Sequence, residues 1–176
     1  MSKKHEWRRV IPGGIFGGVV GAAAMVAVVV VVSVLRGHDL WASLKAAAAP
    51  LLGARAALPG LDAPALLAAF AIHVAVAIAW GVLFATVLDG QPRLTTALAG
   101  PVFGLIVWIT MFYLVLPIFG LGAMARHTAP VSSMIEHAFY GVGVAVGYLP
   151  FQRPTTPRLV TPPRWRVPTT RHRHPG

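Results

Sequence analysis

The chain contains no cysteine, which removes disulfides, thiolate metal sites and cysteine nucleophiles from consideration. Carboxylates are almost as scarce. Only 5 acidic residues occur in 176, and among them Glu136 alone falls within a long apolar run. The phosphate-binding G-x-x-x-x-G-K-[ST], the G-x-S-x-G of serine hydrolases and the H-E-x-x-H of zinc proteases are all missing. No serine has a base at a spacing that implies catalysis, so the chain is not expected to be an enzyme.

What fills the space is apolar. Hydrophobic residues make up 56% of the chain, charged residues 11%, and the mean hydropathy is +0.70, outside the range of an ordinary soluble domain. A helix needs roughly 20 predominantly apolar residues to cross the bilayer core. Four stretches meet that length: Val10 to Leu35, Ala65 to Leu88, Leu94 to Phe119 and Val131 to Phe151. The expected fold class is an all-α membrane protein with four transmembrane helices. The first apolar run is much longer than a signal-peptide core, so it reads as a retained helix.

The formal charge of +10 is distributed unevenly. Lys3, Lys4, Arg8 and Arg9 precede the first span in a short basic arm, residues 1–9. Arg93 lies between the second and third spans. Arg153, Arg158, Arg164, Arg166, Arg171 and Arg173 follow the fourth. The opposite side carries Arg36, Lys45, Arg55 and Arg126. The positive-inside rule then puts both termini in the cytoplasm. Residues 152–176, rich in proline and arginine, have almost nothing to bury and read as a disordered tail drawn to anionic lipid. Nucleic-acid contact is not expected, since Trp165 is the tail's one aromatic platform.

Small residues set the packing. Gly13, Gly17 and Gly21 fall at four-residue steps, as do Gly100 and Gly104, while Gly143 and Gly147 repeat the spacing in the fourth span. In lipid, such rows let helices approach closely. The Gly13/Gly17/Gly21 row is read as the face for a homo-oligomer or for partner membrane subunits. Asp89-Gly90-Gln91-Pro92 is a tight turn, which makes the second and third spans antiparallel neighbours. Between the first and second spans, residues 38–58 show helical spacing of Leu40, Leu44, Ala47, Ala48 and Leu51. They suggest an interfacial helix on the outer face, capped by Asp39, ended by Pro50, with Lys45 on its polar side.

His73 and His137 are the sharpest candidates for chemistry, because ionisable groups within a span are costly and therefore functional hypotheses. Superposing them brings Ala77 onto Gly141 and Gly81 onto Ala145, which suggests two similar helix pairs. Two opposed imidazoles can ligate a b-type haem, or frame a quinone beside Trp80 and Tyr140. With Glu136 or His127 they can bind a divalent metal. The plain alternative is that each histidine bonds to a neighbouring helix and holds no cofactor, and none is expected. Glu136 with His137 also offers a proton-transport reading. Against it, Ser133-Met134-Ile135-Glu136 has the form of a capping box, and adjacent residues point about 100° apart on a helix.

The glycines opening the first span, the histidine-led second, the G-P-V-F-G-L-I-V-W and L-P-I-F-G of the third and the E-H-A-F-Y-G-V-G-V-A-V-G-Y of the fourth resemble small bacterial inner-membrane proteins of the YagU-like kind. The resemblance spans about Gly13 to Pro150. It implies a bacterial cytoplasmic membrane and four helices, and brings no activity with it. The function expected is that of a non-enzymatic structural or accessory membrane component, with the redox and transport readings as alternatives.

Overall fold

The structure, a computed structural model, describes residues 3–122 and 130–153. Among these residues every regular element is helical. Four long helices form the bundle: α1 (Lys3–Arg36), α4 (Ala63–Leu88), α5 (Arg93–Thr110) and α7 (Pro130–Tyr148). Three helices are long and apolar enough to cross a membrane, and they correspond to α1, to α4, and to α5 with its continuation to Ile118. The fourth, α7, is 19 residues long and carries Ser132, Ser133, Glu136 and His137 near its start, which dilutes its apolar character.

Helices α1 and α7 form the middle of the bundle. Helix α1 packs on α4 along one side and on α7 along another, and α7 in turn packs on α5. Two adjacent glycine rows make this possible. A Cβ on Gly14 would stand 2.5 Å from Val82 Cα and one on Gly18 2.5 Å from Ala77 O, so α1 and α4 meet backbone to backbone. On the other row, a Cβ on Gly17 would lie 2.8 Å from Val144 O, and one on Gly21 2.8 Å from Tyr140 O. The Gly13/Gly17/Gly21 row is thus filled by this chain's own α7 and is not open to another subunit. Gly143 and Gly147 complete the same seam, their Cβ positions falling 2.7 Å from Gly21 Cα and 2.8 Å from Gly17 Cα.

The glycine contacts also correct the register of the internal repeat. Gly81 sits against Gly14 O and Gly18 N, and Gly141 sits in the same way against Gly100 O and Gly104 N. Gly81 is therefore the counterpart of Gly141, one helical turn away from the histidine-on-histidine superposition. In the contact register His73 corresponds to Ser133, and His137 to Ala77. The histidines resemble each other in sequence but do not occupy equivalent places.

Helices α4 and α5 follow one another through the turn at Asp89–Pro92, where Gly90 has φ +78°, yet they barely meet along their length. In the repeat register, Phe103 of α5 stands where α1 has Gly17, and Phe84 of α4 stands where α7 has Val144. The rings bridge the gap: Phe103 lies 5.0 Å from Phe84 and 6.1 Å from Trp80, centroid to centroid. An aromatic wedge replaces what is a glycine seam on the other side of the bundle. At its far end α5 runs into a π-helical turn, Met111–Val115, then the short α6 (Leu116–Ile118). Pro117 lacks the N–H for an α-helical bond to residue 113 and its ring crowds that carbonyl, which accounts for the wider turn just before it.

Between α1 and α4, α2 (Leu40–Lys45) and α3 (Ala49–Leu52) alternate with two 3₁₀ turns. Asp39 caps α2 by accepting from Ala42 N at 2.6 Å. Pro50 lies in the first turn of α3 and so opens a helix, where the sequence suggested an end. Lys45 departs further from expectation. It is 1% exposed, and its ammonium donates to Leu58 O at 2.7 Å and Gly60 O at 2.9 Å, tying the returning strand of chain to α2.

Asp62 caps α4 through Ala65 N at 3.1 Å and accepts from Arg55 Nε at 2.8 Å. The Arg55 hydrogen bond, then the bond from Ala65, holds the Asp62 carboxyl below its ordinary value of 3.8. A lowered folded pKa contributes stability that is present above the unfolded value and lost as pH falls through the folded one. The clasp is therefore expected to release only below about pH 3.8. Carboxylate NMR titration checks this: Arg55→Ala should move the Asp62 midpoint upward, and an unmoved midpoint would refute the assignment.

Candidate functional site

Buried polar side chains gather at two levels of the bundle. The first level surrounds the histidines. Tyr140 of α7 donates through its hydroxyl to Ala77 O of α4 at 2.8 Å, crossing the core. That bond fixes the relative height of the two helices. His73 lies four residues from Ala77 and His137 three from Tyr140, both toward the Arg36 end, so they stand about 6 Å and about 4.5 Å above the bond. The two imidazoles share one level.

Each histidine commits one ring nitrogen to a backbone carbonyl. His73 Nε2 donates to Ala22 O of α1 at 3.4 Å, a long bond between helices, and His137 Nδ1 donates to Ser133 O of its own helix at 2.8 Å. A carbonyl only accepts, so the hydrogen-bond network assigns the proton to those nitrogens and leaves His73 Nδ1 and His137 Nε2 with lone pairs. His137 is the more enclosed at 7% exposure, with the Phe112 ring edge-on to it at 5.8 Å. Trp108 of α5 donates through Nε1 to Ser133 Oγ at 2.9 Å, which ties α5 to α7 beside His137.

The other sequence candidates fall elsewhere. Glu136 is half-buried near the start of α7. Because α7 starts at Pro130, Ser133 lies inside the helix and the capping box does not form; the serine instead serves Trp108 and His137. Trp80 faces Phe103 in the α4–α5 wedge. His127 lies outside the described residues, as do Arg158, Arg164, Arg166, Arg171 and Arg173. Among the described residues, no group of three or more histidine and carboxylate side chains comes together in a way that could hold a metal ion.

The second level, at the opposite end, joins residues the sequence gave no reason to group. Tyr148 of α7 donates to Asp89 Oδ1 at 3.2 Å, and Arg9 of α1 pairs with the same carboxylate at 3.8 Å while donating to Phe151 O at 3.4 Å. Gln152, placed in the tail by composition, is buried. Its amide donates to Leu88 O at 3.4 Å and to Thr96 Oγ1, which ties the end of α4 to the start of α5. Arg153 is likewise half-buried. The packed domain thus extends past the expected boundary because a glutamine fills its end.

Between the two levels lies an apolar layer of Phe84, Ala85, Val144 and Ala145, of which Phe84 and Val144 are 0% exposed. Tyr140 and Tyr148, eight residues apart on α7, are separated along the axis by about 12 Å. The polar groups therefore form two clasps divided by an apolar layer.

Comparison with curated proteins finds no match, and comparison with solved structures finds none. Residues 8–158 match a family of unknown function, DUF6789, over a span that takes in most of α1 and the whole of α4, α5 and α7. The chain belongs to that family.

Proposed function

We propose that the protein is a non-enzymatic, four-span integral membrane protein, acting as a structural or accessory component of a membrane complex. The observation that carries this reading is the use made of its buried polar groups. His73, Tyr140 and Trp108 each bond one helix to another, so they act as helix clasps and not as an open reactive centre. Helix α7 is taken as the fourth span because it is lodged between α1 and α5. Its 19 residues extend about 28 Å, close to the roughly 30 Å of a bilayer's hydrocarbon core. The charge distribution supports both termini in the cytoplasm of a bacterial cell, and the resemblance to YagU-like proteins agrees with that membrane. The basic tail then meets anionic lipid. Partner subunits or further copies would approach over the outward faces, since the glycine rows of α1 are occupied internally.

A redox reading, with haem b or quinone held at the histidines, has one observation in its favour. Histidine ligands characteristically donate their second nitrogen to a carbonyl or carboxylate, and both His73 and His137 donate one nitrogen to a carbonyl at the same level. The visible spectrum and metal content of protein purified gently from its native membrane decide between the two. The accessory reading expects a colourless, metal-free preparation whose copurifying proteins identify the complex. A Soret band lost in His73→Ala/His137→Ala would overturn it. The fully buried apolar side chains of Phe84 and Val144, set between the two polar levels, weigh against the proton-transport reading.

A further inference from the structure

Three of the four seams around the bundle axis are closed by backbone contact. Gly14 and Gly18 meet Gly81 between α1 and α4, Gly17 and Gly21 meet Gly147 and Gly143 between α1 and α7, and Gly100 and Gly104 meet Gly141 between α5 and α7. The fourth seam, α4 against α5, is bridged by side chains alone in its middle, through Phe103 on Trp80 and Phe84. Trp80 and Phe103 are both only partly buried there. We infer that the molecule is built as two rigid helix pairs, α1 with α4 and α5 with α7, which rock on the α1–α7 seam so that α4 and α5 part at the aromatic wedge.

The contacts around the wedge define the motion. At the Arg9 end the pairs are pinned, because Gln152 ties Leu88 to Thr96 and Tyr148 holds Asp89. Toward the Arg36 end the Tyr140 hydroxyl on Ala77 O latches α7 to α4. The π-helical turn at Met111–Val115 lies at the same end of α5, where a wide turn lets a helix bend. Aromatic rings in edge contact slide over one another without breaking a directional bond, whereas glycine seams interlock backbones. Parting α4 and α5 uncovers Trp80, Phe103 and the Tyr140 hydroxyl to the hydrocarbon phase.

The absence of cysteine makes the test direct, because paired spin labels go in without removing any native thiol. Ala79→Cys with Ile106→Cys reports α4 against α5, and Val19→Cys with Val146→Cys reports α1 against α7; all four positions are exposed. In lipid nanodiscs, the α4–α5 distance distribution is expected to be broad or two-peaked and the α1–α7 distribution narrow. Removing the latch with Tyr140→Phe should shift the α4–α5 distances longer and leave α1–α7 unchanged. Equal widths for the two pairs in the otherwise native chain would overturn the inference, whether or not the Tyr140→Phe variant folds.

Discussion

Gly104→Ala is expected to destabilise the protein by about 3 kcal/mol, at the upper end of the range typical for overpacking a close-packed interior. The added methyl would fall on His137 O, inside any tolerable contact, and both partners are backbone atoms of long helices. No side chain can rotate away, so α5 and α7 must separate. That separation also strains the Trp108–Ser133 bond beside it. For a domain of this size the melting midpoint should fall by about 6–12 °C. Thermal unfolding in detergent, followed by size-exclusion chromatography, measures it. Ala75→Val, on the exposed face of α4, adds more volume and should change little. A Gly104→Ala protein as stable as the native one would show that the α5–α7 seam is not closed by that contact.

Lys45→Met is expected to have the second-largest effect, and a local one. Hydrogen bonds from a charged donor contribute about 1.5–3 kcal/mol, and methionine fills the side-chain volume while supplying no donor to Leu58 O or Gly60 O. The chain between α2 and α4 should then open without melting the bundle. Trypsin cleavage after Arg55, with hydrogen exchange across residues 46–60, reads the change directly. If neither rises, the carbonyls have found other donors and Lys45 is not the clasp. The global melting midpoint should fall much less than for Gly104→Ala.

The helices were legible because their signals are local. Stretches as long as Val10 to Leu35 or Ala65 to Leu88 read as apolar helix by length, and Asp39 and Asp62 announce their caps one residue before the helix begins. Small-residue rows were legible as packing faces but not as pairs, since spacing says that a helix will approach and not which one. Only the contacts reveal that Gly13, Gly17 and Gly21 are taken by α7. Lys45 is not legible as a clasp, because a charged residue on a helical wheel defaults to solvent, and its acceptors, Leu58 O and Gly60 O, are backbone atoms with no mark in the sequence. His73 and His137 were found by the cost of their charge in an apolar setting. Their placement one turn out of repeat register needed the Gly81 and Gly141 contacts to see.

The two glycine rows of α1 have a consequence for the order of biogenesis. Synthesis proceeds from the amino end, so α1 enters the bilayer first, with both glycine rows uncovered. Its first partner, α4, follows soon after, but the slot facing Gly17 and Gly21 waits for α7, the last long helix made. During that interval the unfinished chain presents lipid with a small-residue surface that a neighbouring nascent copy could occupy. The mature protein hides this surface completely, so crowding of unfinished chains, more than damage to finished ones, is the condition under which the Gly17 row would join the wrong helices.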